Sequence, residues 1–305
     1  MSAPDTVLTR PATRRAAAPR PTFPGTVRGE VLKLSRQRAT WVMLAGALLF
    51  FAVFALALVS APQIKTQLHD NPRAWFYTML DVLLTLFDTG SGIFLLVVSA
   101  RLVGMEYSAG TIRILLARGA GRLRLLAAKL TALALAALLL LAGFTLLAAA
   151  VVVATVQGWE GSLSPLSSLP AEAWHYLELQ VVVALISMGV CILLGTAAAV
   201  VGRSLAFGLS AALAFFPSDN FGTIVLSLLN RLTGKDFWNQ ISSYLLGPNL
   251  NQLPALLEPH RLARAAFATP LVKVDATHAL LVVGTYSAVF LGAAFVLTWR
   301  RDVLE

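Results

Sequence analysis

Residues 101 to 129 read RLVGMEYSAGTIRILLARGAGRLRLLAAK and lie between two apolar runs, each long enough to cross a bilayer. Six cations, Arg101, Arg113, Arg118, Arg122, Arg124 and Lys129, stand there against one carboxylate, Glu106. A short loop so biased belongs on the cytoplasmic side of a membrane. The flanking runs then have to be transmembrane helices, and the fold class is all-α and polytopic.

Outward from this loop the same pattern repeats. Trp41 to Ser60 is a run of twenty residues without a charge, the length that spans a hydrocarbon core of roughly 30 Å. Further spans are expected over 76–100, 130–156, 176–201, 205–229 and 279–299, six in all. The fifth is expected to break at Pro217-Ser218-Asp219-Asn220 and resume at Phe221. Residues 230–275, which mix Leu with Trp238, Tyr244, Pro248, Pro254 and Pro259, fit short helices packed at the outer surface. They form a broken segment between helices 5 and 6. Ahead of the first span, residues 1–25 read as a disordered basic tail rich in Arg, Pro and Ala, and residues 26–305 as one six-helix transmembrane domain. Val27, Val31 and Leu34 fall at helical spacing among Arg28, Lys33, Arg36 and Arg38. That pattern suits a helix lying on the inner membrane surface, or else a short charged linker.

Composition agrees: 57% of the 305 residues are hydrophobic, 13% are charged, and mean hydropathy is +0.75. The bilayer is the main solvent of such a chain. Of its 24 Lys and Arg, seventeen fall on one side of the six spans: eight before the first, six in the 101–129 loop, and Arg203, Arg300 and Arg301. Both termini are therefore expected in the cytoplasm. Trp41 and Trp299 fall at inner span ends, and Trp75, Trp159 and Trp174 at outer ones. The net charge of +9 is accounted for by topology and anionic lipid, so no nucleic acid is expected as a partner. Richness in Ala, Leu and Arg points to a bacterium, and the location expected is its cytoplasmic membrane.

Several motifs are excluded by context. Asp88-Thr89-Gly90-Ser91 spells an aspartic-protease tetrapeptide, but that chemistry needs two aspartates sharing a proton, and this copy lies in a membrane helix. His69, His175, His260 and His278 lack metal-ligand spacing, and the one cysteine, Cys191, lies in an apolar run. Gly234-Lys235 lacks the rest of a phosphate-binding loop. No catalytic residue, metal or cofactor is therefore expected on this chain. What remains is a polar face: Asp81, Thr85 and Asp88 recur at i, i+4 and i+7 of the second span. A mid-bilayer carboxylate costs roughly 2.5 to 3.5 kcal/mol, so Asp88 faces protein or water. It lines a polar path or fixes helix packing; sequence leaves both open. With Asp81, Thr85, Asp219 and Asn220 it makes up the candidate substrate path.

The 101–129 loop reads as a helix able to dock a partner. Ser108 and Thr111 can cap it, Gly110 permits a turn, and Ile112, Leu115 and Leu116 form an apolar stripe between Arg113 and Arg118. Here the chain resembles the membrane subunit of type-2 ABC transporters, in which a Glu, a Gly-Thr pair and a basic apolar helix lie between the second and third of six spans. The matching positions are Glu106, Gly110-Thr111, Arg113, Leu115-Leu116, Arg122 and Lys129. The resemblance also takes in the basic lead-in and the closing Trp299-Arg300-Arg301-Asp302. It implies a coupling helix, including Arg118, seated on a separate ATPase that carries ATP and Mg. It further implies a second permease copy or paralogue, and export of a substrate that the sequence does not identify. The competing classes are an integral-membrane enzyme acting on lipid or peptide and a structural membrane anchor.

Overall fold

The computed structural model describes residues 22–112, 114, 121–167, 169–257 and 268–300. Six helices are long and apolar enough to cross a membrane: Arg38–Ser60, Pro72–Ser108, Arg122–Glu160, Ala171–Gly202, Leu205–Thr233 and Ala276–Arg300. The chain is a multi-pass membrane protein, and no strand occurs among the described residues. Several helices outrun the apolar stretches that announce them. The second span begins at Pro72 and runs on through Arg101 to Ser108, and the third already begins at Arg122. Intrahelical hydrogen bonding does not stop where the hydrocarbon ends, so charged turns continue the helix into the polar region.

The second and fourth spans form the centre. Their most apolar stretches are 56% and 61% buried, against 11% to 17% for the other four spans. Small residues allow their approach: a Cβ at Gly195 would stand 2.1 Å from Ser99 Oγ and 2.5 Å from the Leu96 carbonyl oxygen. Close backbone contact of this kind is the usual source of helix association in lipid, where burial alone gives little. Leu95, Leu133, Met188 and Ala212 join spans two to five in the largest apolar core. A second core at the far end gathers Trp75, Met79, Leu83, Val156 and Tyr176.

The fifth span is continuous from Leu205 to Thr233, with Pro217 inside it, which corrects the expected break at residues 217–220. Proline removes one backbone donor, and a membrane helix survives that loss when neighbouring turns and polar side chains take up the freed groups. The missing donor is the one that would bond the Leu213 carbonyl oxygen. Separately, Asn220 Nδ2 donates to the Phe216 carbonyl oxygen at 2.8 Å and Thr223 Oγ1 to that of Asn220 at 2.7 Å, which reinforces the turns after the proline. Only Arg203 and Ser204 connect the fourth and fifth spans. Arg203 is left-handed at φ 48°, and the Ser204 hydroxyl caps the Phe207 N–H. Between the fifth and sixth spans, Phe237–Ser242 and Leu246–Leu257 are short helices.

The lead-in is a helix, Phe23–Arg36, starting just before the expected boundary because the Thr22 hydroxyl accepts from Gly25 N and Pro24 occupies the first turn. It packs beside the start of the third span. Together with the end of the second span, these elements form one end of the bundle, here termed the Glu106 end.

Candidate functional site

A cavity of about 680 Å³ opens near the midpoint of the second span, bounded by the second, fourth and fifth spans and by the Leu246–Leu257 helix. Asp81, Thr85, Asp88 and Asn220 line it, so four of the five expected path residues converge. The helical spacing of Asp81, Thr85 and Asp88 is what turns all three to one side. Asp219 departs from the expectation. Its carboxylate accepts from the Gly247 N–H at the start of the Leu246–Leu257 helix, where the positive end of the helix dipole favours an anion. It therefore secures the Leu246–Leu257 helix beside the cavity. Asn251 on that helix donates to Asn220 Oδ1 at 2.8 Å and to the Ala268 carbonyl oxygen at 2.7 Å, closing the far end of the cavity with a bonded pair of amides.

The two carboxylates of the cavity differ. Asp81 is bonded to the Tyr176 hydroxyl, and Tyr176 packs edge to face on Tyr77 with ring centroids 5.6 Å apart. Asp88 has its Oδ1 buried with no hydrogen-bond partner among the described residues. A packing role through a hydrogen bond from that oxygen has no partner to work through. The rest of the wall is largely apolar, with Leu84, Leu96, Val183, Phe216 and Leu250 among its residues. Sequence reading missed Tyr176, Gln180, Ser187 and Cys191, which line the cavity from the fourth span. Their spacing at i, i+4, i+11 and i+15 is helical, and a search for polar side chains at that period would have found them.

At the Glu106 end lies a second group of charges. Lys129 Nζ lies 2.8 Å from Glu30 Oε2, 2.7 Å from Glu106 Oε1 and 3.2 Å from the Leu102 carbonyl oxygen. Lys33 Nζ lies 2.7 Å from Glu30 Oε1 and 2.6 Å from Glu106 Oε1. The side chains of Lys129, Glu30 and Glu106 are 4%, 3% and 9% exposed, and that of Lys33 is 40% exposed. Burial works to lower the Lys33 pKa, yet the hydrogen bonds and charges of Glu106 and Glu30 prevail, and the ammonium is held above its ordinary value. Two acids and two bases thus tie the lead-in helix to the second and third spans. Glu30 was missed in the sequence, although it is the one carboxylate of a basic segment, as Glu106 is of its loop.

This geometry sorts the expected coupling residues. Glu106 sits on the last turn of the second span, turned into the ion cluster, and Arg122 opens the third span, where it donates to the Trp299 carbonyl oxygen at 3.4 Å. Ser108 does not cap a coupling helix; its hydroxyl accepts from Leu205 N at 3.0 Å and so caps the fifth span, which starts within its reach. Gly110 takes φ 65°, a left-handed turn suited to glycine. Thr111 and Ile112 follow in helical conformation, as does Ile114, whose side chain is 56% exposed. Arg113, Leu115, Leu116 and Arg118 lie outside the described residues. Among the described residues no group of His, Cys, Asp and Glu is arranged to hold a metal ion.

A family model described as ABC-2 family transporter protein matches residues 26–217, well over half of the chain. The match takes in the lead-in helix, the ion cluster, the connection after Glu106 and most of the cavity wall. No curated protein matches the chain in sequence.

Proposed function

The chain belongs to the ABC-2 family of transporter proteins and is a permease subunit of an ABC transporter, and on that premise we propose that it is the membrane half of an exporter powered by a separate ATPase. The observation that carries this reading is a single uninterrupted helix, Pro72–Ser108, which bears Asp88 in the cavity and Glu106 at the connection to the third span. Eighteen residues of helix make a rod of roughly 27 Å between them. A push delivered to the connection moves the cavity wall.

The Glu106 end is the cytoplasmic one in this reading, with both termini on that side, in keeping with the seventeen cations that the sequence assigns to that side of the spans. The residues after Gly110 meet the ATPase, with Ile112, Ile114, Leu115 and Leu116 as apolar anchors and Arg113 and Arg118 beside them. Glu106 acts one step back, holding the turn against Lys33 and Lys129. ATP and Mg belong to the partner. A second copy or a paralogue closes the side of the cavity on which Phe221 and Ile224 are exposed, 65% and 61%. Alternation between inward and outward openings then follows from movement of the second span with its connection.

The test is purification with and without the partner. The chain alone should turn over no ATP, and the complex should. Asp88→Asn should change transport or substrate-stimulated turnover while the complex still assembles. Stoichiometric ATP turnover by the chain free of partner would sink the reading.

A further inference from the structure

The cavity has a sign. Its described lining includes two carboxylates, Asp81 and Asp88, and no Lys, Arg or His. Asp81 is engaged by Tyr176, whereas Asp88 lines the cavity, and its Oδ1 is buried with no hydrogen-bond partner among the described residues. A carboxylate held near the middle of a membrane helix without a partner is unfavourable, and it becomes favourable when a cation comes to it. Around Asp88 the wall is largely apolar with scattered hydroxyls and amides, and the cavity volume of about 680 Å³ falls within the roughly 300 to 1,000 Å³ of pockets that take drug-sized molecules. A bare metal ion needs several oxygens converging on it, and among the described residues no group of His, Cys, Asp and Glu is arranged to hold one.

We infer that the cavity binds an organic cation with a bulky apolar body, its positive centre on Asp88 and its body against Leu84, Val183 and Phe216. This rests on the reading of the cavity as the substrate path and names the class of substrate. In the chain without a second permease subunit, as the binding test uses it, the exposed apolar side chains at the cavity's open side, Ile93, Phe221 and Ile224, give such a molecule a route from the lipid. Asp81 serves as a weaker second acceptor, because its carboxylate already takes the Tyr176 hydroxyl.

Two probes of nearly the same size and shape isolate the charge: tetraphenylphosphonium and tetraphenylborate. Binding of each to the full chain is measured in phosphatidylcholine nanodiscs, with empty discs subtracted. The cation should bind saturably and the anion should not. Asp88→Asn should weaken cation binding ten-fold or more, and Asp81→Asn only two- to three-fold. The Asp88 variant's thermal midpoint shows that it is folded, and the comparison of probes on the unaltered chain needs no variant. Equal or stronger binding of the borate, or full cation affinity in Asp88→Asn, overturns the inference. The transport reading is separated by adding the ATPase. Asp88-dependent cation binding that leaves ATP turnover unmoved keeps the site and removes it from the path. Turnover stimulated by an anionic compound, with no cation bound, keeps the path and overturns the site.

Discussion

The ion cluster at Glu106 and the cavity at Asp88 sit on the same helix and treat a buried carboxylate in opposite ways. Glu106 Oε1 receives two ammonium groups, one almost wholly buried, and these in turn share Glu30. Asp88 receives no ammonium group among the described residues; each carboxylate has one buried oxygen without a hydrogen-bond partner, Asp88 Oδ1 and Glu106 Oε2, but only Glu106 has its charge paired, through Oε1. Charges removed from water persist in a fold when they are paired, and an unpaired one has to be answered by something that arrives later. The paired site therefore reads as scaffold, fixing three elements where a push would enter. The unpaired site reads as a place kept for a guest.

The largest effect should come from Lys129→Ala. It leaves Glu30 and Glu106 with Lys33 as their one base, so that a buried negative charge is uncompensated, which costs about 3 to 5 kcal/mol, visible as a large fall in the thermal midpoint. Should Asp88→Asn lower the midpoint as much, the contrast between the two sites is lost. Next, Ile114→Asp should reduce retention of the ATPase ten-fold or more, about 1.4 kcal/mol or above, with the midpoint unchanged; full retention would leave Ile114 as an ordinary exposed side chain. Asp88→Asn should keep or raise the midpoint, because a neutral amide is easier to bury than an unpaired carboxylate. The smallest effect is one of pH. With its pKa held above the usual lysine value, Lys33 stabilises the fold fully below about 10.5, and that contribution fades only as pH climbs through the raised folded value. Melting curves should show no loss from this group between neutral pH and 10. A Lys33→Met variant, insensitive in the alkaline window, provides the comparison.

Much of this organisation is readable from the chain. Uncharged runs near twenty residues locate the spans, and the period of Asp81, Thr85 and Asp88 places them on one face, because both signals are local and fixed by helix geometry. The pairing of Glu106 is not local: Lys33 lies 73 residues from it in sequence, and Glu30 lies 99 from Lys129. Nothing in the spacing of the sequence ties those positions together. Pro217 misleads for a related reason, since whether a proline breaks a membrane helix depends on what the surrounding fold supplies to the freed groups. Ser108 and Asp219 look like a local cap and a path residue, yet each serves the start of another helix, Leu205–Thr233 and Leu246–Leu257.

The two-residue connection at Arg203-Ser204 also constrains how the protein is made. With so little chain between them, the fourth and fifth spans have no slack to enter the membrane at separate times, and they must leave the translocon as one helical hairpin. The left-handed Arg203 fixes the reversal, and the Ser108 hydroxyl on Leu205 can form only once the second span is already in place. The order of synthesis thus matches the order of assembly, with the central second span waiting in the bilayer for the hairpin that completes the cavity.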